Sequence, residues 1–193
     1  MKKSTIAIIA VVAVVAIWAI SAYNGLVKSD ESVNQVWADV EASYQRRADL
    51  IPNLVNTVKG YAAHESETLE AVVAARAKAT SINLSVDDLT EENMQKFQKA
   101  QSEISSALGR LIAVSESYPE LKANENFSEL QAQLEGTENR INEARKKFNA
   151  AVKEYNVSVR SFPASIVASF AGFERRAEFK AEEGSEKAPK VEF

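Results

Sequence analysis

Apolar positions return along this chain at alternating spacings of three and four residues, in three long stretches. Val33, Trp37, Val40, Tyr44, Ile51, Leu54, Val58, Tyr61 and Val72 share one seam, interrupted only by Arg47, Glu65 and Thr68. A second seam is Phe97, Ala100, Ile104, Ala107, Leu111, Val114 and Tyr118. The third is Phe127, Leu130, Leu134, Thr137, Ile141, Ala144, Phe148, Ala151 and Tyr155. Such a stripe is the face of a helix that packs against other helices. No stretch alternates with period two long enough to form a strand. The pattern predicts an all-α protein.

Breakers set the expected boundaries. The first seam crosses Pro52 without losing phase, although the proline removes a backbone donor and crowds the Ala48 carbonyl. One helix over about residues 31–80, kinked at Pro52, is therefore expected. Asp49, a candidate N-cap, keeps a turn at Pro52 open. The stretch 81–88 (SINLSVDD) ends this helix, and Ser85 or Asp87 caps the next. The second helix stops at Tyr118, because the residue before Pro119 is pushed out of the helical region. Residues 121–126 connect to the third. Ser161-Phe162-Pro163 breaks the chain again, and a short apolar helix over 164–173 follows. The expected architecture is an antiparallel bundle of three long helices and one short one, or a four-helix bundle if the chain turns at Pro52. The polar stretch 180–193 is expected to be a disordered tail.

The first 23 residues read differently. Met1-Lys2-Lys3 precedes twenty residues, 4–23, without a charge, enough helix to span about 30 Å of bilayer core. Trp18 and Tyr23 lie toward the far end, where aromatic rings favour the interface. A cleaved signal peptide is the rival, with small residues at Ala19 and Ser21, but the apolar block is long for one. The expectation is an uncleaved single-pass anchor over 1–23, followed by a bundle over 24–179. The lysines before the span place the N-terminus in the cytoplasm and the bundle outside the inner membrane. Residues 24–30 read as a short polar exit.

Centring the two expected turns near residue 85 and between 122 and 123 brings Gly60, Gly109 and Gly136 to one height. Glycine costs about 1 kcal/mol in a helix interior, so three at one level suggest close backbone approach, with Pro52 level with the Tyr118–Phe127 turn. The same arithmetic leaves residues 31–50 overhanging the bundle as a stalk of about 30 Å. On it Val33, Trp37, Val40 and Tyr44 form an uncovered apolar seam, the candidate interaction surface, with Trp37 as its anchor. The short helix 164–173 would begin at the opposite end of the bundle, so copies of the chain are left to cover the seam.

Chemistry is sparse. The chain carries 23 basic and 27 acidic residues, a net charge of −4, which argues against nucleic acid as a partner. With no Cys and one His, His64 beside Glu65 and Glu67 is a poor zinc site, and adjacent positions face different sides of a helix. No Gly-x-Ser-x-Gly elbow or phosphate loop is present. The aromatic residues of the seams read as core rather than as a ligand box. No catalytic, cofactor or metal residues are expected, and no enzyme. Arg140, Arg145, Lys146 and Lys147 form a basic run, either a solvated face with pairs such as Glu143–Lys147 or a surface for lipid headgroups or a partner. Arg47, in the seam, and Arg76, in an alanine-rich turn, each need a carboxylate partner if buried.

RRADLIPNLVNTVKGYAAHE (46–65), GRLIAVSESYPELKANENF (109–127), EGTENRINEARKKFNAAVKEYN (135–156) and SFPASIVASFAGFE (161–174) resemble the LemA family in order and over nearly the whole chain. Tyr23-Asn24, Leu26-Val27 and Trp37-Ala38-Asp39-Val40-Glu41 extend the match. The resemblance implies a bacterial membrane-anchored helical bundle without an assigned activity. Two functions follow as expectations: a non-enzymatic envelope scaffold that self-associates through helix faces, or an adaptor for a membrane protease or other envelope enzyme.

Overall fold

The computed structural model describes residues 3–181. The described residues form six helices: α1 (Lys3–Tyr61), α2 (Ser66–Thr80), α3 (Glu91–Ser115), α4 (Pro119–Lys122), α5 (Glu125–Arg160) and α6 (Ala164–Ala171). A 3-10 turn, Val86–Asp88, lies between α2 and α3. The described residues contain no strand, so the all-α expectation holds. The tail expected over 180–193 falls, beyond Ala181, outside the described residues.

α1 is one helix from the charge-free block through Gly25 and Pro52. The expected polar exit at 24–30 is helical instead. Its single glycine is a small cost, and Leu26 is already buried in the bundle core. An 18-residue apolar window near the start of α1 is unburied and suits a membrane span. Pro52 does not turn the chain. Proline withholds the N–H that would bond the Ala48 carbonyl, and the Nε of Arg76 supplies the missing donor at 2.7 Å. Arg76 was expected to need a carboxylate if buried; it is half-buried, and its partner is this orphaned carbonyl.

The reversal comes nine residues later. Tyr61 ends α1, and Ala62 to Glu65 form a tight turn closed by Glu65 N–H donating to the Ala62 carbonyl at 3.1 Å. Ala62 is fully buried at the turn. The helix expected over 31–80 is thus two antiparallel helices. α2 returns along α1, and residues 81–90 continue the descent outside any α-helix, with the 3-10 turn Val86–Asp88 among them. There the Trp37 indole donates to the Leu84 carbonyl at 3.2 Å. α3 climbs again, started by Thr90, whose side chain accepts from Asn93 N–H. The α4 turn sits level with the end of α1, since Asn124 donates to the Tyr61 hydroxyl at 2.9 Å. α5 then descends along the buried part of α1, and α6 packs on both.

Four passes therefore replace three, and the stalk disappears. Val33, Trp37, Val40 and Tyr44 are 0–7% exposed. Trp37 lies 5.7 Å from Phe97, 5.2 Å from Phe148 and 6.2 Å from Phe179, ring centre to ring centre. The seam proposed as an interaction surface is core, covered by α3, α5 and the segment after α6. The glycine layer fails too. Gly60, Gly109 and Gly136 are exposed, and a methyl group on each would meet nothing within 4 Å. Their common height rested on turn centres that assumed one long first helix.

Candidate functional site

The core is split by charge. One apolar cluster runs from Leu26 to Tyr44 on α1 with its neighbours, and a second from Ile51 to Ala62. Between them sits Arg47, 2% exposed. Its guanidinium donates to Glu138 Oε1 at 2.7 Å, to Ser105 Oγ at 3.0 Å and to the Gln101 carbonyl at 3.2 Å, and it also bonds the Gln101 side chain. It stacks on the Tyr44 ring at 5.1 Å. Its Nε has no partner among the described residues. Arg47 does take the carboxylate its burial demands, from α5 across the bundle rather than from Asp49 on its own helix. Glu138 is half exposed and reaches in from a groove between α3 and α5.

At the membrane end this groove is filled by the chain itself. Gly172, with φ +77°, ends α6 in the left-handed conformation that lets the chain reverse. The extended residues after it run up the groove as a strap. Three side-chain amides grip its backbone. Asn156 donates to the Arg176 carbonyl at 2.9 Å and accepts the Arg176 N–H at 3.0 Å. Asn149 does the same for Phe179 at 2.9 Å in both directions. Gln98 of α3 repeats the bracket on Lys180, at 2.9 and 3.4 Å. The spacing is a matter of pitch. Asn149 and Asn156 are two helical turns apart, about 10 Å, and three extended residues cover about 10 Å. Each amide offers one donor and one acceptor, so it satisfies a peptide unit as a neighbouring strand would.

Two side chains lock the strap. Phe179 is 6% exposed among Trp37, Phe97 and Phe148, with Arg145 stacked over its ring at 4.8 Å. Arg176 bonds Asp30 at 2.8 Å, Asp87 at 3.2 Å and the Val86 carbonyl, and lies over the Tyr155 ring. Burial works against the Arg176 charge, but the two aspartates hold its pKa above the ordinary value. Burial also pushes the Tyr155 hydroxyl up.

Beyond Ala181 the groove continues as an open trough of about 1090 Å³. Gln101, Ser102 and Ser105 of α3 and Glu138, Asn142 and Arg145 of α5 line it, with Arg47 at the floor. Its lining holds Arg47, Lys78, Lys99, Arg110, Arg145 and Lys180 against Glu103 and Glu138. In a chain of net charge −4 this is a local positive field. Arg140, Lys146 and Lys147 of the basic run are not in that lining, and Lys147 pairs with Glu143 at 4.0 Å. His64 is exposed in the α1–α2 turn. No cluster of three His, Asp or Glu residues suited to a metal ion occurs among the described residues.

Sequence reasoning missed the strap and the groove. The signal was a pair of asparagines seven residues apart on the flank of the third seam, and an aromatic residue followed by lysine just past an apolar helix.

Residues 36–193 match the LemA family. The chain is 26% identical over 171 residues to the magnetosome protein MamQ of Magnetospirillum gryphiswaldense, covering 79% of this chain and 62% of that protein. It is 28% identical over 176 residues to magnetosome protein MamQ 2 of Paramagnetospirillum magneticum, covering 82% and 64%. Protein LemA of Metamycoplasma hominis is 25% identical over 118 residues, covering 61% of this chain and 50% of that protein. The chain spans between half and two thirds of the length of these relatives, and their names state no reaction. From Val36 onward the family match runs through the seams, the strap and the groove, and by it this helical bundle belongs to the LemA family.

Proposed function

We propose that this protein is a non-enzymatic, membrane-tethered scaffold of the bacterial envelope that receives an extended acidic segment of a neighbouring protein in the α3–α5 groove. One observation carries this reading: the membrane end of the groove already grips an extended segment, through side-chain amides and one aromatic pocket. The open trough continues that groove with amides, hydroxyls and an excess of cations. Backbone brackets provide affinity for any extended chain, and pockets and charge choose among sequences. The Val33–Tyr44 seam is core, which removes the surface for the expected self-association and favours the adaptor form of the scaffold. α1 holds the bundle on the inner membrane, and Lys2 and Lys3 favour an N-terminus in the cytoplasm.

Anisotropy of dye-labelled peptides tests this on the full-length chain in lipid nanodiscs. An acidic peptide bearing one Phe binds, and binding weakens with salt and with Lys99→Glu and Arg110→Glu. A basic peptide of the same length does not bind. Equal binding of both peptides, or indifference to the charge reversals, overturns the reading.

A further inference from the structure

The run from Ser161 to Phe173 carries no charge, yet much of it faces outward. Phe162 is 82% exposed, Phe170 91% and Ile166 47%. These three recur every four residues, on one face of the break and α6. The opposite face carries Ala164, Val167 and Ala168, which pack toward the core. A short helix that is apolar on both faces is matched to two apolar surroundings. One is the bundle. An exposed patch of this kind marks an interaction surface.

The fold says which. α6 packs on α1, and two residues past its end Phe173 meets Tyr23, the rings edge to face at 5.8 Å. Tyr23 lies near the end of the charge-free stretch of α1, which runs on to Val27 before Lys28. Ala19 and Ala22, on the same face, are the first half-covered positions of α1, where residues 3–18 are exposed. The first ionic layer of the bundle, Asp30 with Arg176, lies seven residues further, about 10 Å along the helix axis. α6 therefore sits on the membrane side of that layer, at the height where α1 leaves the bilayer. Arg160 precedes the uncharged run, and Glu174 and Arg175 follow it.

We propose that α6 is an interfacial membrane helix. Its outward face, Phe162, Ile166 and Phe170, enters the headgroup–acyl boundary of the same bilayer that α1 spans. Aromatic and aliphatic side chains favour that zone. With α1 as one support and α6 as a second, the bundle is held upright on the membrane instead of swinging on a single helix.

The chain contains no cysteine, so single labels are direct. Phe162→Cys, Ile166→Cys and Phe170→Cys, each carrying an environment-sensitive fluorophore, are reconstituted as full-length protein in phosphatidylcholine vesicles with and without phosphatidylglycerol. Lys122→Cys, at the far end of the bundle, is the reference, and circular dichroism checks that each variant is folded. Labels at 162, 166 and 170 shift to the blue and lose most of their emission to lipids spin-labelled near the headgroup, in both vesicle types; the label at 122 does neither. Water-like emission at 170 overturns the proposal. So does quenching that requires the anionic lipid, which would mean electrostatic adsorption. Shielding without lipid quenching, accompanied by energy transfer between labels, would instead assign the face to a second copy.

Discussion

Pro52 and Arg76 together set the shape of α1, and a double-mutant cycle measures how far. Ala48 is 4% exposed, so its carbonyl has little access to water once the helix leaves it without an amide. The Arg76 Nε hydrogen bond at 2.7 Å is charge-assisted, and such bonds contribute about 1.5–3 kcal/mol net. Arg76→Met keeps the aliphatic stem and removes only the donor. It should cost about 2 kcal/mol, because a buried acceptor is left unpaired. For a chain of this size that lowers the melting midpoint by about 4–8 °C. In a Pro52→Ala background, the restored backbone amide at position 52 reaches the Ala48 carbonyl by ordinary helical geometry, and Arg76 becomes redundant. There the same substitution should cost less than about 1 kcal/mol, and the cycle should show a coupling of about 1–2 kcal/mol. Urea titration of the detergent-solubilised full-length chain, followed by helical circular dichroism, reads all four corners. If the two substitutions add to within about 0.5 kcal/mol, Arg76 does not replace the proline's missing donor and the argument is refuted.

Three further outcomes follow from the packing. Glu138→Ala should destabilise more than Arg47→Met in the same titration: the first strands a buried guanidinium, at about 3–5 kcal/mol, while the second leaves a half-exposed carboxylate that water can solvate. Equal costs would refute the assignment of Arg47 as the buried member. Gly109→Ala and Gly136→Ala should each raise stability by about 0.5–1 kcal/mol, since a methyl group meets nothing there; a loss would show that the helices do approach closely. Trp37→Ala should cost about 3–5 kcal/mol and lower the thermal midpoint with no change in the sedimentation of the folded protein. Loss of an oligomer with the bundle intact would return the seam to the surface.

The sequence by itself determined the class of the protein and most of its core. Val33, Trp37, Val40, Ile51 and Leu54, with Ile104, Leu111, Ile141 and Phe148, were legible because a helix packed on one side must repeat its apolar residues near every 3.6 positions. The candidate membrane span at the start of α1 was legible because bilayer thickness demands about twenty uncharged residues. Tertiary structure decided the number of passes. Ala62 to Glu65 reverses the chain inside a seam whose phase happens to survive the turn, since Val72 is buried on either path. The polar seam positions Glu65 and Thr68 were the only trace. One missed reversal turns three passes into four, and the parity of passes decides which end of the bundle receives α6. It moved α6 from the far end to the Tyr23 end of the bundle, and it moved the Trp37 seam from solvent to core. Continuity of the helix through Pro52 was legible in the unbroken phase, but a turn there stayed open because local propensity knows nothing of Arg76, 24 residues away, whose side chain satisfies the carbonyl the proline orphans. The strap lay beyond sequence reading for the same reason. Extended backbone has no periodic signature of its own, and its partners, Asn149, Asn156 and Gln98, are brought to it only by the packing of two other helices.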